Sequence, residues 1–205
     1  MNRKWFAQSG EDRTIARIFR EIGVLNRFAV EFGAADGRRK SNTAYFRDRG
    51  WSSRLFDVDP LDPEVQHADI TAENVNDIFR AAGVPQTFDL LSIDIDGNDL
   101  WVWKALTFRP RVVVIEYNPK WSASKSRTVP YDPRRRWDGT NFYGASALAL
   151  RRVGIEKGYD LVAATRSNLI FVTKGLLPAI SASEVRRPVK MKRKDPEKRA
   201  WEIYA

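Results

Sequence analysis

The apolar positions of the chain switch repeatedly between a helical and an alternating period. Near the start, Ser9-Gly10-Glu11-Asp12 offers a cap and an acidic first turn, and Ile15, Ile18, Phe19 and Ile22 follow at helical spacing until Gly23. Residues 27–32 (RFAVEF) then read as a strand running into glycines, and Ser41-Asn42-Thr43 can cap a second helix that ends near Gly50. Residues 53–58 predict a second strand, 68–70 a short third, and 71–83 a helix opened by Thr71 and closed by Gly83. Residues 88–93 are short and apolar, as a strand covered on both faces must be. A short tryptophan-rich helix over 99–106 precedes the strongest strand, 111–117 (RVVVIEY), which is rich in β-branched residues. The polar stretch 118–143, with Pro119, Pro130 and Pro133, is a connection long enough to carry function. A helix over 146–157 and strands over 159–165 and 168–173, joined by a tight turn at Arg166-Ser167, complete the regular pattern.

Alternating helices and strands predict an α/β protein with a mostly parallel sheet and helices on both faces. With the closing hairpin, the expected fold is Rossmann-like, with a seven-stranded sheet. The length of 205 residues suits one domain, placed at 1–183 and followed by a basic C-terminal tail at 184–205. Within that tail, Trp201, Ile203 and Tyr204 could dock the end on the body. The absence of cysteine excludes a disulfide framework and any thiolate metal site. No segment approaches the roughly 20 apolar residues of a membrane span, and residues 1–11 lack the apolar run of a signal peptide, so a cytoplasmic protein is expected. Much of the net charge of +9 lies in 184–199 (EVRRPVKMKRKDPEKR), and the basic balance favours anionic partners, nucleic acid among them.

Candidate chemistry clusters at the expected carboxyl ends of strands, where open α/β sheets bind ligands. The segment Val30 to Gly37 (VEFGAADG) runs from strand into a glycine turn with an acidic residue two before the first glycine. Ala35 stands where a pyrophosphate loop prefers glycine, which disfavours a nicotinamide cofactor. Asp57, about 20 residues on, can accept hydrogen bonds from two ribose hydroxyls, so the pair points to an adenosine-type cofactor. Asp69 could meet the adenine edge or simply belong to a helix cap. In Leu91 to Asp99 (LSIDIDGND), the carboxylates of Asp94, Asp96 and Asp99 repel one another unless protons or a cation intervene. Mg²⁺ is the natural neutraliser, with Asp94, Asp96 and Asn118 as its candidate ligands, and Glu116 can reach the same crevice from the next strand. Asp94, Asp96 and Glu116 are the candidate catalytic residues. The single histidine, His67, reads better as a surface residue than as a base, and Trp121, Tyr131 and Trp137 could stack on a flat substrate or anchor the long connection.

Together, QSGEDRTI (from Gln8), VEFGAADG, Ser41-Asn42-Thr43, Gly50-Trp51, LLSIDIDGND, VVVIEYNP and Phe142-Tyr143-Gly144-Ala145-Ser146 make the chain resemble the FkbM-type methyltransferase family over residues 8–173. Five parallel-type strands followed by a hairpin is also the strand plan of class I methyltransferases. The resemblance implies S-adenosylmethionine as cofactor and O-methylation of a sugar or other small molecule. It places Gln8, Glu11, Glu31, Gly33, Ala34, Asp36, Gly37, Asn42, Asp57 and Asp69 on the cofactor side of the site, and Asp94, Asp96 and Glu116 along it. Two other functions fit the same residues: an RNA-directed methyltransferase that uses the basic tail, and a non-catalytic module that retains the fold.

Overall fold

The computed structural model describes residues 5–180, 184–185 and 194–205. The elements in chain order are α1 (Glu11–Ile22), β1 (Phe28–Phe32), α2 (Ala44–Arg47), β2 (Ser52–Asp57), β3 (Gln66–His67), α3 (Val75–Ala81), β4 (Thr87–Ile93), α4 (Asp99–Ala105), β5 (Arg109–Glu116), α5 (Ala147–Lys157), β6 (Tyr159–Ala164) and β7 (Asn168–Thr173). They form a seven-stranded sheet in the order β3-β2-β1-β4-β5-β7-β6. The first five of these strands pair in parallel, and β7 runs antiparallel to both β5 and β6. This is the expected Rossmann-like sheet with its C-terminal hairpin.

Side-chain alternation assigns each strand residue to one of two cores. Val30, Phe32, Leu91, Ile93, Val113 and Ile115 face α3, α4 and α5, with Trp103 and Phe79 wholly buried among them. Ala29, Leu90, Val112 and Val114 face the other way and pack on Ile15, Ile18 and Phe19 of α1 and Tyr45 and Phe46 of α2. The parallel strands are therefore covered on both sides, which is why β4 and β5 read as unbroken apolar runs. At the amino-terminal edge, the buried carboxylate of Asp89 accepts the backbone N–H groups of Leu25, Asn26 and Arg27 and pairs with Arg111 at 3.0 Å.

Three expectations need correction. The third strand is Gln66–His67 rather than 68–70, because these are the two residues that pair with the end of β2, Phe56 and Asp57. The helix expected over 71–83 is regular only over Val75–Ala81; Asn74 turns its side chain back to take the Thr71 N–H. Ser41-Asn42-Thr43 leads into only one helical turn, and these residues chiefly bind a strand carboxylate, described below.

The basic stretch 186–193 lies outside the described residues. The following segment, 194–205, lies on the body. Trp201 packs edge-on against Trp121 and Phe142, Glu202 bridges Thr128, and the Ser126 hydroxyl donates to the Tyr204 carbonyl. Tyr204 is buried, whereas Ile203 is 65% exposed. Among the described residues, no helix is long and apolar enough to cross a membrane.

Candidate active site

A cavity of about 300 Å³ opens at the carboxyl ends of β1, β2 and β4. Its volume suits a small-molecule site. Gly33 and Ala35 form one wall, Asp57 and Val58 a second, Ile70 the rear, and Asp94, Ile95 and Asp96 the floor. Gly33 has φ 67°, and a Cβ there would lie 1.7 Å from the Asp94 carbonyl oxygen. Glycine is thus required first by the approach of the β1 and β4 ends, and the ledge it leaves faces the cavity. The Ala35 N–H donates to Asp57 Oδ2 at 2.7 Å, and the Asp59 N–H donates to Oδ1 at 2.8 Å. The carboxylate is held at the glycine turn, and each oxygen keeps a free lone pair for a further donor.

The floor is acidic. Ligand atoms of Asp94, Asp96 and Glu116, all half-buried, lie within 4.8 Å of one another. Burial, then repulsion from Asp96, Asp99 and Glu31, pushes the Asp94 carboxyl well above the usual carboxylate range. Glu116 is raised for the same reasons, burial first and then Asp94 and Asp96. Asp96 is pushed up to about 6, again mainly by burial, with Asp99 adding and Lys40 opposing. Asp99 braces the loop from beneath: its buried carboxylate accepts the N–H groups of Ile95 and Gly97, each at 2.9 Å. Asp96 takes φ 53°, a left-handed conformation that aspartate tolerates better than most residues. Burial and the nearby carboxylates also raise the Tyr143 hydroxyl, which stays protonated beside the cluster.

The roof comes from the 119–143 connection. Arg135, Arg136 and Trp137 line the cavity from above. Arg136 pairs with Asp69 at 2.6 Å across its mouth, and Asn98 at the start of α4 donates to the Asp132 carbonyl at 2.7 Å. Trp121 and Tyr131 serve as anchors, Trp121 against Trp201 and Tyr131 through its hydroxyl to Glu73 and the Ala72 N–H. Trp137 is half exposed and reaches the cavity.

The other expected site residues stand elsewhere. Glu31 is buried on the α1 side of β1, where it accepts from the Ser41 and Thr43 hydroxyls at 2.6 and 2.5 Å and from the Asn42 N–H at 2.8 Å. Asn42 in turn donates to Ser92 at 2.9 Å, so this network ties the loop after β1 to the sheet. Glu11 is buried too and joins the start of α1 to the hairpin through Thr165 and Asn168. Ala34 and Gly37 belong to the turn itself, Gly37 donating to the Ala34 carbonyl, with Ala34 buried against Leu55 and Val65. Asp36 caps the backbone N–H groups of Arg38 and Arg39 at the surface, and these donors lower its pKa. Gln8 and His67 are exposed and line no part of the cavity. Asn118 is a correction: its amide donates to the carbonyls of Asn141 and Tyr143 and its oxygen accepts the Lys120 N–H, so it is committed to shaping the connection. Glu116, rather than Asn118, brings a third carboxylate oxygen within 4.8 Å of those of Asp94 and Asp96. Sequence reasoning did not single out Lys40, Arg135 or Arg136. The run Arg134-Arg135-Arg136 between Pro133 and Trp137, within the long polar connection, was the available signal.

No protein-family model and no curated protein sequence matches this chain. Among solved structures, it is similar to the N-terminal domain of EvdMO1 with SAH bound: 12% identity, 82% of each chain covered, TM-score 0.47. The same domain in the presence of SAH and D-fucose aligns at 10% identity over 82% of this chain and 83% of that one, TM-score 0.46. An S-adenosylmethionine-dependent methyltransferase from Clostridium acetobutylicum ATCC 824 aligns at 9% identity over 82% and 93% of the two chains, TM-score 0.40.

Proposed function

We propose that the chain is an S-adenosylmethionine-dependent methyltransferase acting on a hydroxyl of a sugar or other small molecule. One observation carries this reading: the Ala35 N–H clamps Asp57 Oδ2 at 2.7 Å, so a glycine turn and the carboxylate one strand over share a cavity wall. The residues fit the cofactor. Gly33 admits a close backbone approach, the open lone pairs of Asp57 suit vicinal ribose hydroxyls, and Val58 and Ile70 offer apolar surface to a flat base. The acidic floor suits a molecule that carries sulfonium and ammonium charges.

When bound there, S-adenosylmethionine supplies a methyl group made electrophilic by its sulfonium. Asp94 lines the cavity floor near that centre, and the positive charge of the bound molecule would favour the ionised form that burial and neighbouring carboxylates disfavour. The Asp96 carboxylate, poised near 6, takes the acceptor hydroxyl proton onto a side-chain oxygen. Trp137 and the arginines above narrow the mouth and limit water, which favours a small acceptor over a polymer.

Calorimetry on the full chain tests the proposal. Both S-adenosylmethionine and S-adenosylhomocysteine should bind. Asp57→Ala should weaken them by roughly 10- to 100-fold, the range for lost hydrogen bonds to a charged group. Asp96→Asn should leave their affinity nearly unchanged while removing turnover. Failure of the unaltered protein to bind either nucleoside overturns the assignment.

The same floor supports a metal-assisted variant of this reading, because Glu116 Oε2 is buried without a partner. Asp94, Asp96 and Glu116 would hold Mg²⁺, which would lower the acceptor hydroxyl pKa. In that case Mg²⁺ alone raises the melting temperature of the protein, and Glu116→Gln abolishes the rise. An unchanged melting temperature removes the metal from the proposal.

A further inference from the structure

On the amino-terminal side of the sheet, away from the cavity, α1 and α2 frame a second groove of about 540 Å³. Arg13, Arg17 and Arg20 project from α1 at positions i, i+4 and i+7, which share one helix face. Arg27 joins them from the residue before β1, and Arg49 from just beyond α2. All five arginines are exposed. Among the described residues, none of the five has a carboxylate within 4 Å, although Arg38, Arg47, Arg80, Arg111, Arg134, Arg136 and Arg199 all do.

Aromatic rings lie among these cations. Trp5 stacks on Tyr45 with centroids 4.4 Å apart, Arg13 lies 5.2 Å from the Trp5 ring, and Arg49 lies 3.5 Å from the Tyr45 ring. Trp51 closes the far side, half-exposed like Trp5. Like charges gathered without counter-charges favour a polyanion, which releases its own counterions on binding. Half-exposed indoles beside guanidinium planes offer faces on which bases stack. A lipid surface would require a protruding apolar face, whereas Tyr45, Phe46 and Phe19 are buried beneath the arginines.

We propose that this groove binds single-stranded nucleic acid, with Arg13, Arg17, Arg20, Arg27 and Arg49 on phosphates and Trp5 and Trp51 against bases. The groove opens beside Arg27, before β1, whereas the cavity opens after it, at Gly33. The five residues of β1 separate the two by roughly 17 Å at about 3.3 Å each. The groove is therefore a binding site distinct from the cofactor cavity, and it stands whether or not that cavity transfers methyl groups.

Fluorescence anisotropy of the full chain with a labelled 12-nucleotide single strand, titrated at several salt concentrations, tests it. The unaltered protein should bind with a falling log K against log salt. The double variant R17E/R20E should bind at least tenfold more weakly, and its salt slope should shrink by about 1.4, near 0.7 for each phosphate no longer neutralised. R17K/R20K should restore most of the affinity, and Trp5→Ala should weaken adenine-rich strands more than abasic ones. Circular dichroism melts of R17E/R20E and R17K/R20K should match the unaltered protein, since Arg17 and Arg20 are exposed. Three results overturn the proposal: no binding to the single strand; tighter binding to phosphatidylserine vesicles than to the strand; or binding that survives R17E/R20E and disappears when Arg186, Arg187, Lys190 and Lys192 are neutralised.

Discussion

Asp96→Asn isolates the energetics of the acidic floor, because asparagine shares the tolerance of aspartate for the left-handed backbone at φ 53°. The exchange removes charge and little else. Raising the Asp96 pKa from 3.8 to about 6 means that ionising it costs the folded state about 3 kcal/mol at 1.36 kcal/mol per unit. Its side chain opens on the cavity, and solvent screening brings the working figure to about 2 kcal/mol. The sign follows from linkage. A carboxyl whose folded pKa is raised stabilises the fold below the unfolded value, near 3.8, and loses that contribution as pH climbs through 6. The asparagine variant should therefore match the unaltered protein near pH 4. It should gain steadily to pH 6 and melt about 4–8 °C higher at pH 8, at 2–4 °C per kcal/mol for a chain of this size. Calorimetric melts at pH 4, 6 and 8 and constant ionic strength measure this directly. The same variant should lose at least about 100-fold in methyl transfer, the contribution of a general base. An equal melting difference at pH 4 and pH 8, or a variant less stable at pH 8, would refute the assignment of a charge strained by burial.

Gly33→Ala should cost more than about 3 kcal/mol in urea unfolding, since the new methyl would meet a carbonyl oxygen at 1.7 Å on a backbone with φ 67°; a loss under 0.5 kcal/mol would show that the β1 and β4 ends can part. Asp89→Ala strips one carboxylate from three backbone donors and from Arg111, and should lower stability by about 3–5 kcal/mol in chemical denaturation. Trp201→Ala, at a half-buried position between Trp121 and Phe142, should lower stability by about 1–3 kcal/mol. Limited proteolysis should then cut the 119–143 connection sooner than in the unaltered protein.

The strands β1, β4 and β5 were legible along the chain because they are buried on both faces and their apolar runs leave little choice of structure. Strand β3 was misplaced because two residues pairing with the end of β2 leave no period to read. Glu31 illustrates a subtler limit. Its distance from Gly33 matches a cofactor loop, yet in a strand its side chain points opposite to Val30 and Phe32. Those two residues lie in the α3–α5 core, so the carboxylate falls on the α1 side, against Ser41 and Thr43. Period-two alternation contained that information, but only once the faces had been assigned to helices. Asp57, Asp94 and Asp96 met at one cavity because strand ends in a parallel sheet converge on one edge. The arginines of the roof had no such rule, since an aperiodic connection places its side chains through tertiary contacts.

The last residues of the described chain have a bearing on motion. The Ser126 hydroxyl reaches the Tyr204 carbonyl across 78 positions of sequence, and Arg199 reaches Asp138 across 61. The sheet's own pairings span as far, Ala29 to Leu90 for one, but a segment held by a few contacts can open locally while the packed sheet stays folded. Deuterium should accordingly enter the amides of Thr128 and Glu202, each of which donates to the other's carbonyl, well before those of β4. The connection that carries Arg135, Arg136 and Trp137 over the cavity would then loosen as often as this C-terminal clasp releases, without any breathing of the strands.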